Sequence, residues 1–103
     1  MKTSSRILHE GDDRSAHQGA VNPPIYHTSL FTFPNMQAFL ERSSEVSTHH
    51  TYTRESNPTI QALELKIAML EDADGCIATA SGMGAISAAI LAVLRAGDHA
   101  LVV

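Results

Sequence analysis

The sequence predicts an α/β protein in two parts, an extended N-terminal arm over residues 1–57 and the beginning of a parallel α/β domain over residues 58–103. Three observations predict it. Up to Asn57 there is little sustained hydrophobic periodicity, and Pro23, Pro24 and Pro34 stand among many Ser, Thr, Asn and His residues. From Asn57 onward apolar residues recur at helical spacing, with short apolar runs after each helical stretch. The resulting order of helix, strand, helix, strand is the grammar of a parallel sheet with right-handed crossovers.

Each element has a local reason. In the arm, Ser5–Glu10 reads as a short helix ended near Gly11, and Met36–Glu45 as a second, with Met36, Phe39 and Leu40 as its apolar stripe. Ile25–Phe33 is rich in β-branched and aromatic residues but follows two prolines. It is expected to run extended over another surface rather than inside a sheet. Asn57 suits an N-cap and Pro58 the first helical position, and Ile60, Leu63, Ile67 and Leu70 then share one face. Gly75 is expected to stop this helix, with Glu71, Asp72 and Asp74 at the unfavourable end of its dipole. Gly75–Ala80 reads as a strand. Gly82–Arg95 reads as a helix lined by Ala85, Ala88, Ala89 and Ala92, whose small side chains predict close packing. Gly97 closes it, and His99–Val103 reads as a second strand. Two parallel strands are not stable alone and need both faces covered, so the pattern reads as a piece of a longer structure.

Composition narrows the function. Of the 103 residues 44% are hydrophobic and 17% charged, as in an ordinary globular domain. A net charge of -4, with no block of like charge, gives no footprint for nucleic acid or an anionic membrane. The most apolar run, Ala85–Leu94, is far shorter than the roughly 20 residues that span a bilayer. The first residues contain no signal-peptide core, so a cytoplasmic location is expected. Cys76 is the one cysteine, read as a small core residue. The 6 histidines show no metal-binding spacing, and the adjacent His49 and His50 read as loop residues.

Two motifs carry chemistry. Ala80-Ser81-Gly82-Met83-Gly84-Ala85 sits where a strand turns into a helix. Free backbone N–H groups and the positive end of a dipole meet there, and Gly82 lets the backbone approach a ligand, so the turn suits an anion. The Ser81 hydroxyl suits either a helix cap or a phosphate donor. The alternative reading is a plain serine cap with glycines for packing. A nucleophile elbow is disfavoured because Thr79 and Met83 stand where it needs glycine, and a dinucleotide fingerprint matches only partly at Gly82 and Gly84. The second motif is Thr51-Tyr52-Thr53-Arg54, followed by Glu55-Ser56-Asn57-Pro58-Thr59. If the run is extended, Tyr52 and Arg54 point the same way and offer a phenol and a guanidinium to one target, a pair suited to phosphate. The alternative is a solvated arginine beside a packed tyrosine.

Pro23-Pro24-Ile25-Tyr26, Tyr52 to Thr59, Leu70-Glu71, Ser81 to Ile86 and Ala96-Gly97-Asp98-His99 occur in an order and spacing that resembles the Cys/Met-metabolism family of enzymes dependent on pyridoxal 5'-phosphate (PLP). The resemblance runs from about Arg6 to Val103. It implies the start of a fold-type-I, aspartate-aminotransferase-like major domain, in a homodimer or homotetramer acting on a small sulfur-containing amino acid. It also implies that Gly82 and Met83, with Ser81 beside them, present the PLP phosphate with donors, and that Tyr52 and Arg54 reach the neighbouring subunit's phosphate. The implied chemistry makes or breaks a C–S bond by β- or γ-elimination or γ-replacement, with the cystathionine synthase and lyases as the common members. Lys2 and Lys66 both lack the small-residue context of the family's Schiff-base lysine. That lysine is therefore expected past Val103, and this stretch alone is expected to be inactive. Two further readings are a catalytically inactive remnant serving only in assembly or binding, and a nucleotide-binding α/β protein. The latter leaves Tyr52 to Thr59 unexplained.

Overall fold

The computed structural model describes residues 3–9, 13–41 and 49–102. Four helices stand in it: α1 (Thr3–His9), α2 (Met36–Leu40), α3 (Pro58–Leu70) and α4 (Gly82–Val93). The helical half of the expectation holds, with shifted ends. Asn35 caps α2 by accepting the Ala38 N–H at 2.8 Å, and α2 ends at Leu40. The rest of the helix expected to Glu45 lies largely outside the described residues, as do Glu10 and Gly11 after α1. Asn57 caps α3 and Pro58 takes its first turn.

α3 does not run on to a stop at Gly75. Asp72 adopts a left-handed conformation at φ 52, and the Ala73 N–H reaches back to the Ala68 carbonyl at 2.9 Å. This is a Schellman closure in which aspartate, which tolerates that conformation, stands where glycine is usual. α4 likewise ends at Val93 rather than Arg95, because Leu94 is already extended. Gly97, at φ 98, serves the next turn, where Asp98 accepts the Arg95 N–H at 2.7 Å.

The two expected strands are not formed among the described residues. Residues 75–79 and 98–102 carry no ladder, and the Ala78 N–H bonds to the Glu64 carboxylate at 2.7 Å instead. A strand exists through its partner, and neither run has one here. The apolar stripe of α3 stays partly exposed, the alanine face of α4 is open, and Cys76 is half-buried rather than core. Among the described residues only Ala68, 7% exposed, and Asn57, 3% exposed, are buried. The accessible surface is 8859 Å², against about 5,700 Å² for a compact monomer of this mass. The radius of gyration is 17.0 Å, against about 13 Å for a compact domain of this length. These helices cannot close a core among themselves.

Order is concentrated where the arm meets α3. Segment 24–26 runs extended and bonds to side chains instead of a neighbouring strand. Thr59 Oγ1 donates to the Pro24 carbonyl at 3.0 Å and accepts the Tyr26 N–H at 2.9 Å. The Asn57 carboxamide donates to the Tyr26 carbonyl at 2.9 Å and to Thr53 Oγ1 at 3.1 Å, while its oxygen accepts the Thr59 N–H at 2.8 Å. All the hydrogens of that buried amide are used, as burial demands. Further along, an isolated antiparallel bridge joins Leu30 to Tyr52. It is made by the Phe31 N–H to the Thr51 carbonyl and the Thr53 N–H to the Ser29 carbonyl, each 3.0 Å.

An aromatic row covers this junction. Tyr26 lies 6.0 Å from His17 and 6.4 Å from Phe31, and Phe31 lies 5.5 Å from His50. His49 turns the other way, toward Phe33 at 6.0 Å. His50 Nδ1 is 2.9 Å from the Ser56 hydroxyl. Burial, with a smaller contribution from the neighbouring His49, pushes the His50 pKa below its ordinary value of 6.5.

Two outcomes are expected. Asn57→Ala should destabilise the arm junction by about 2 kcal/mol, through a lost cap and lost bonds to buried partners. Amide exchange at Thr59 and Tyr26 should accelerate accordingly, and unchanged exchange there would show that the carboxamide carries no weight. For His50, the unfolded chain takes up a proton as pH falls through 6.5 while the folded chain resists it. The contribution of neutral His50 is therefore complete above pH 6.5 and declines below it, down to the folded pKa. NMR titration of the imidazole should give a midpoint under 6.5, and a midpoint above it would contradict the burial.

Candidate functional site

Tyr52 and Arg54 are brought together, though not by extended backbone. The Glu55 and Ser56 N–H groups both reach the Tyr52 carbonyl, at 2.9 and 3.0 Å, so residues 52–55 form a turn. The expectation of an extended run fails here because the bridge to Leu30 ends at Tyr52 and the chain must then bend into α3. The pairing survives the bend. Arg54 Nη2 donates to the Tyr52 phenol oxygen at 2.9 Å, and its guanidinium carbon lies 5.3 Å from the ring centroid. A contact of this kind at an exposed site contributes about 0.5–1 kcal/mol and stiffens both side chains.

These two residues border an open concavity of about 480 Å³, lined by residues 26–29 and 52–54. Among the described residues, no carboxylate pairs with Arg54; its bond and ring contact both go to Tyr52. Most of its five donors therefore remain available to an anion. The arm contributes the opposite wall, from Tyr26 to Ser29.

The start of α4 is a second cluster of donors. Ser81 is extended and its Oγ accepts the Gly84 N–H at 3.0 Å, so the hydroxyl caps the helix. Its carbonyl takes the Ala85 N–H at 3.1 Å and the Thr79 hydroxyl at 2.8 Å. The Gly82 and Met83 N–H groups find no acceptor among the described residues, and no acidic residue stands in this first turn. The two glycines differ. A side chain on Gly84 would meet Ser81 Oγ at 3.2 Å, whereas one on Gly82 would meet nothing within 4 Å. Packing therefore explains Gly84 and leaves Gly82 open to a ligand.

Ser81, Gly82 and Met83 take no part in the concavity that holds Tyr52 and Arg54. The geometry thus offers two separate donor clusters, each suited to a phosphate. Thr53, Asn57 and Thr59 hold the first of them in place. In the sequence Asn57 has the role of a cap, while Thr53 and Thr59 stand as members of the Tyr52-to-Thr59 run without a role of their own. Among the described residues, no group of His, Cys, Asp and Glu could hold a metal ion, and no helix is long and apolar enough to cross a membrane.

Comparison with known proteins adds the context. The Cys/Met metabolism PLP-dependent enzyme family matches residues 4–103. L-methionine gamma-lyase of Pseudomonas putida is 41% identical over 98 residues, covering 95% of this chain and 25% of the relative. A putative cystathionine beta-lyase of Rhizobium johnstonii is 38% identical over 100 residues, covering 97% of this chain and 24% of the relative. O-acetyl-L-homoserine sulfhydrylase of Corynebacterium glutamicum is 37% identical over 95 residues, covering 92% of this chain and 22% of the relative. The chain thus spans about a quarter of the length of the curated relatives it matches. With donor clusters fit for a phosphate and a match along nearly its whole length, the chain belongs to the Cys/Met metabolism family of PLP-dependent enzymes, for which fold type I is implied.

Proposed function

We propose that this chain supplies phosphate-binding elements to a PLP enzyme of sulfur amino-acid metabolism, which makes or breaks a C–S bond by β- or γ-elimination or γ-replacement. The observation that carries the proposal is the open start of α4. Its first N–H groups lack acceptors among the described residues, and nothing stands within 4 Å of where a Cβ on Gly82 would lie, so the backbone there is open to a ligand. Two N–H groups and a helix dipole suit a dianionic phosphate. Ser81 shapes the turn, Gly82 and Met83 would donate, and the Ser81 O–H is still able to donate while its oxygen caps Gly84.

Tyr52 and Arg54 would supply the remaining donors from the neighbouring subunit of a homodimer or homotetramer. The separation of the two clusters supports this assignment, since the concavity beside Arg54 contains none of residues 81–83. When bound, PLP supplies an electron sink in its pyridine ring for cleavage at the substrate's carbons. The residues of this chain bind and orient the phosphate end and leave the bond-breaking groups to other parts of the protein. The substrate on this reading is a small sulfur-containing amino acid, as the names of the relatives favour.

Arg54→Ala in the complete protein should weaken PLP binding about 10- to 100-fold, the range for losing a charge-assisted bond. Absorbance of the cofactor retained through dialysis measures it, and full retention would remove Arg54 from the site. Gly82→Ala should leave the melting temperature unchanged or slightly raised, because the new methyl group meets nothing within 4 Å. The same variant should lose cofactor; equal retention would return Gly82 to a purely structural role.

A further inference from the structure

We infer that Thr53, held by Asn57, is the positioning residue of the Tyr52–Arg54 anion site, setting the direction in which both donors point. The inference rests on the reading that those donors take the cofactor's phosphate.

Neither donor is oriented by a protein wall of its own. Both side chains are exposed, and the phenol and guanidinium contact each other. Their aim is inherited from the backbone between them, which belongs to Thr53. That residue is tied at three points. Its N–H donates to the Ser29 carbonyl at 3.0 Å, its hydroxyl accepts from the Asn57 amide at 3.1 Å, and the same hydroxyl donates to the Thr28 carbonyl. A hydroxyl used in both directions on a β-branched side chain leaves one rotamer available and so holds the peptide units on either side. Asn57 in turn is 3% exposed, capped into α3 and bonded to the arm. The chain of contacts runs from arm and helix through Asn57 and Thr53 to the turn that presents Tyr52 and Arg54. No ligand needs to touch Thr53 for it to matter.

Threonine variants separate this role from mere folding. Thr53→Val keeps the shape and loses both hydroxyl bonds, Thr53→Ala loses them without the branch, and Thr53→Ser keeps them. Dissociation constants for PLP, and for pyridoxal lacking the phosphate, are measured on the complete apoprotein. Thr53→Val or Thr53→Ala should weaken PLP about tenfold, the loss expected from roughly one net hydrogen bond, and Thr53→Ser should restore it. Pyridoxal binding should be equal in all of them. Because Thr53 acts through both neighbours, adding Thr53→Val to the double variant Tyr52→Phe/Arg54→Ala should weaken PLP no further than that double variant alone. Additive losses, equal weakening of pyridoxal, or failure of serine to restore binding would overturn the inference. Normal PLP binding by both the valine and alanine variants beside a weakened Arg54→Ala would overturn it while leaving the phosphate reading intact. Normal binding by Arg54→Ala would overturn the phosphate reading itself, and this inference with it.

Discussion

The Asn57 carboxamide, buried at 3% exposure, ties three pieces of chain together, the arm, the turn after the bridge and α3. One N–H goes to the arm at Tyr26, the other to the turn at Thr53, and the oxygen caps α3 at Thr59. An amide offers two donors and an acceptor in one plane, and each is used here on a different element. Losing any one contact would leave a buried polar group without a partner, which costs more than the bond itself contributes. With an accessible surface of 8859 Å² and little apolar burial, such polar ties decide the local arrangement. Thr59 adds the second point of attachment by acting as donor and acceptor toward Pro24 and Tyr26. Side chains thereby take the place of a strand partner for an arm segment whose prolines lack N–H groups.

The junction also explains why the turn after the bridge takes the form it does. Antiparallel pairing with Leu30 carries the chain as far as Tyr52, and the cap at Asn57 starts a helix in a new direction. Only a tight turn joins them, so the Tyr52 carbonyl collects the Glu55 and Ser56 N–H groups. Within that turn the guanidinium folds back over the phenol, keeping two donors on one side although the backbone is not extended.

What was legible in the sequence was local chemistry. Asn57 followed by Pro58, and Ser81 followed by Gly82, place helix starts correctly because cap and first turn are neighbours in sequence. Helix ends were less legible. Asp72 pre-empts Gly75 because an aspartate in left-handed conformation closes the Schellman bonds as soon as they are geometrically available. The expected strands at 75–80 and 99–103 depend on pairing, which no local pattern supplies. Thr59 bonds residues 33 and 35 positions away, so its part in the site was invisible to any window along the chain. The donor residues themselves were legible by type and spacing, but the turn that gathers Tyr52 and Arg54 was not.

The open apolar faces and the two donor clusters share one physical origin. α4 exposes Met83, Ile86, Ile90, Leu91 and Val93, and the run beyond it leaves Leu101 and Val102 in solvent. Helices of this kind draw most of their stability from packing their apolar face against other polypeptide. On the proposed reading the same covering gives the clusters their meaning. A helix start binds a dianion firmly only where water is displaced, because screening by solvent weakens both the dipole and the N–H bonds. Burying α4 under further polypeptide would lower the dielectric around Gly82 and Met83. Bringing a second subunit's arm against it would deliver Tyr52 and Arg54 already paired and aimed. On that reading fold completion, subunit contact and phosphate binding would be coupled, with the bonds of Asn57 holding the turn that carries Tyr52 and Arg54 against the arm.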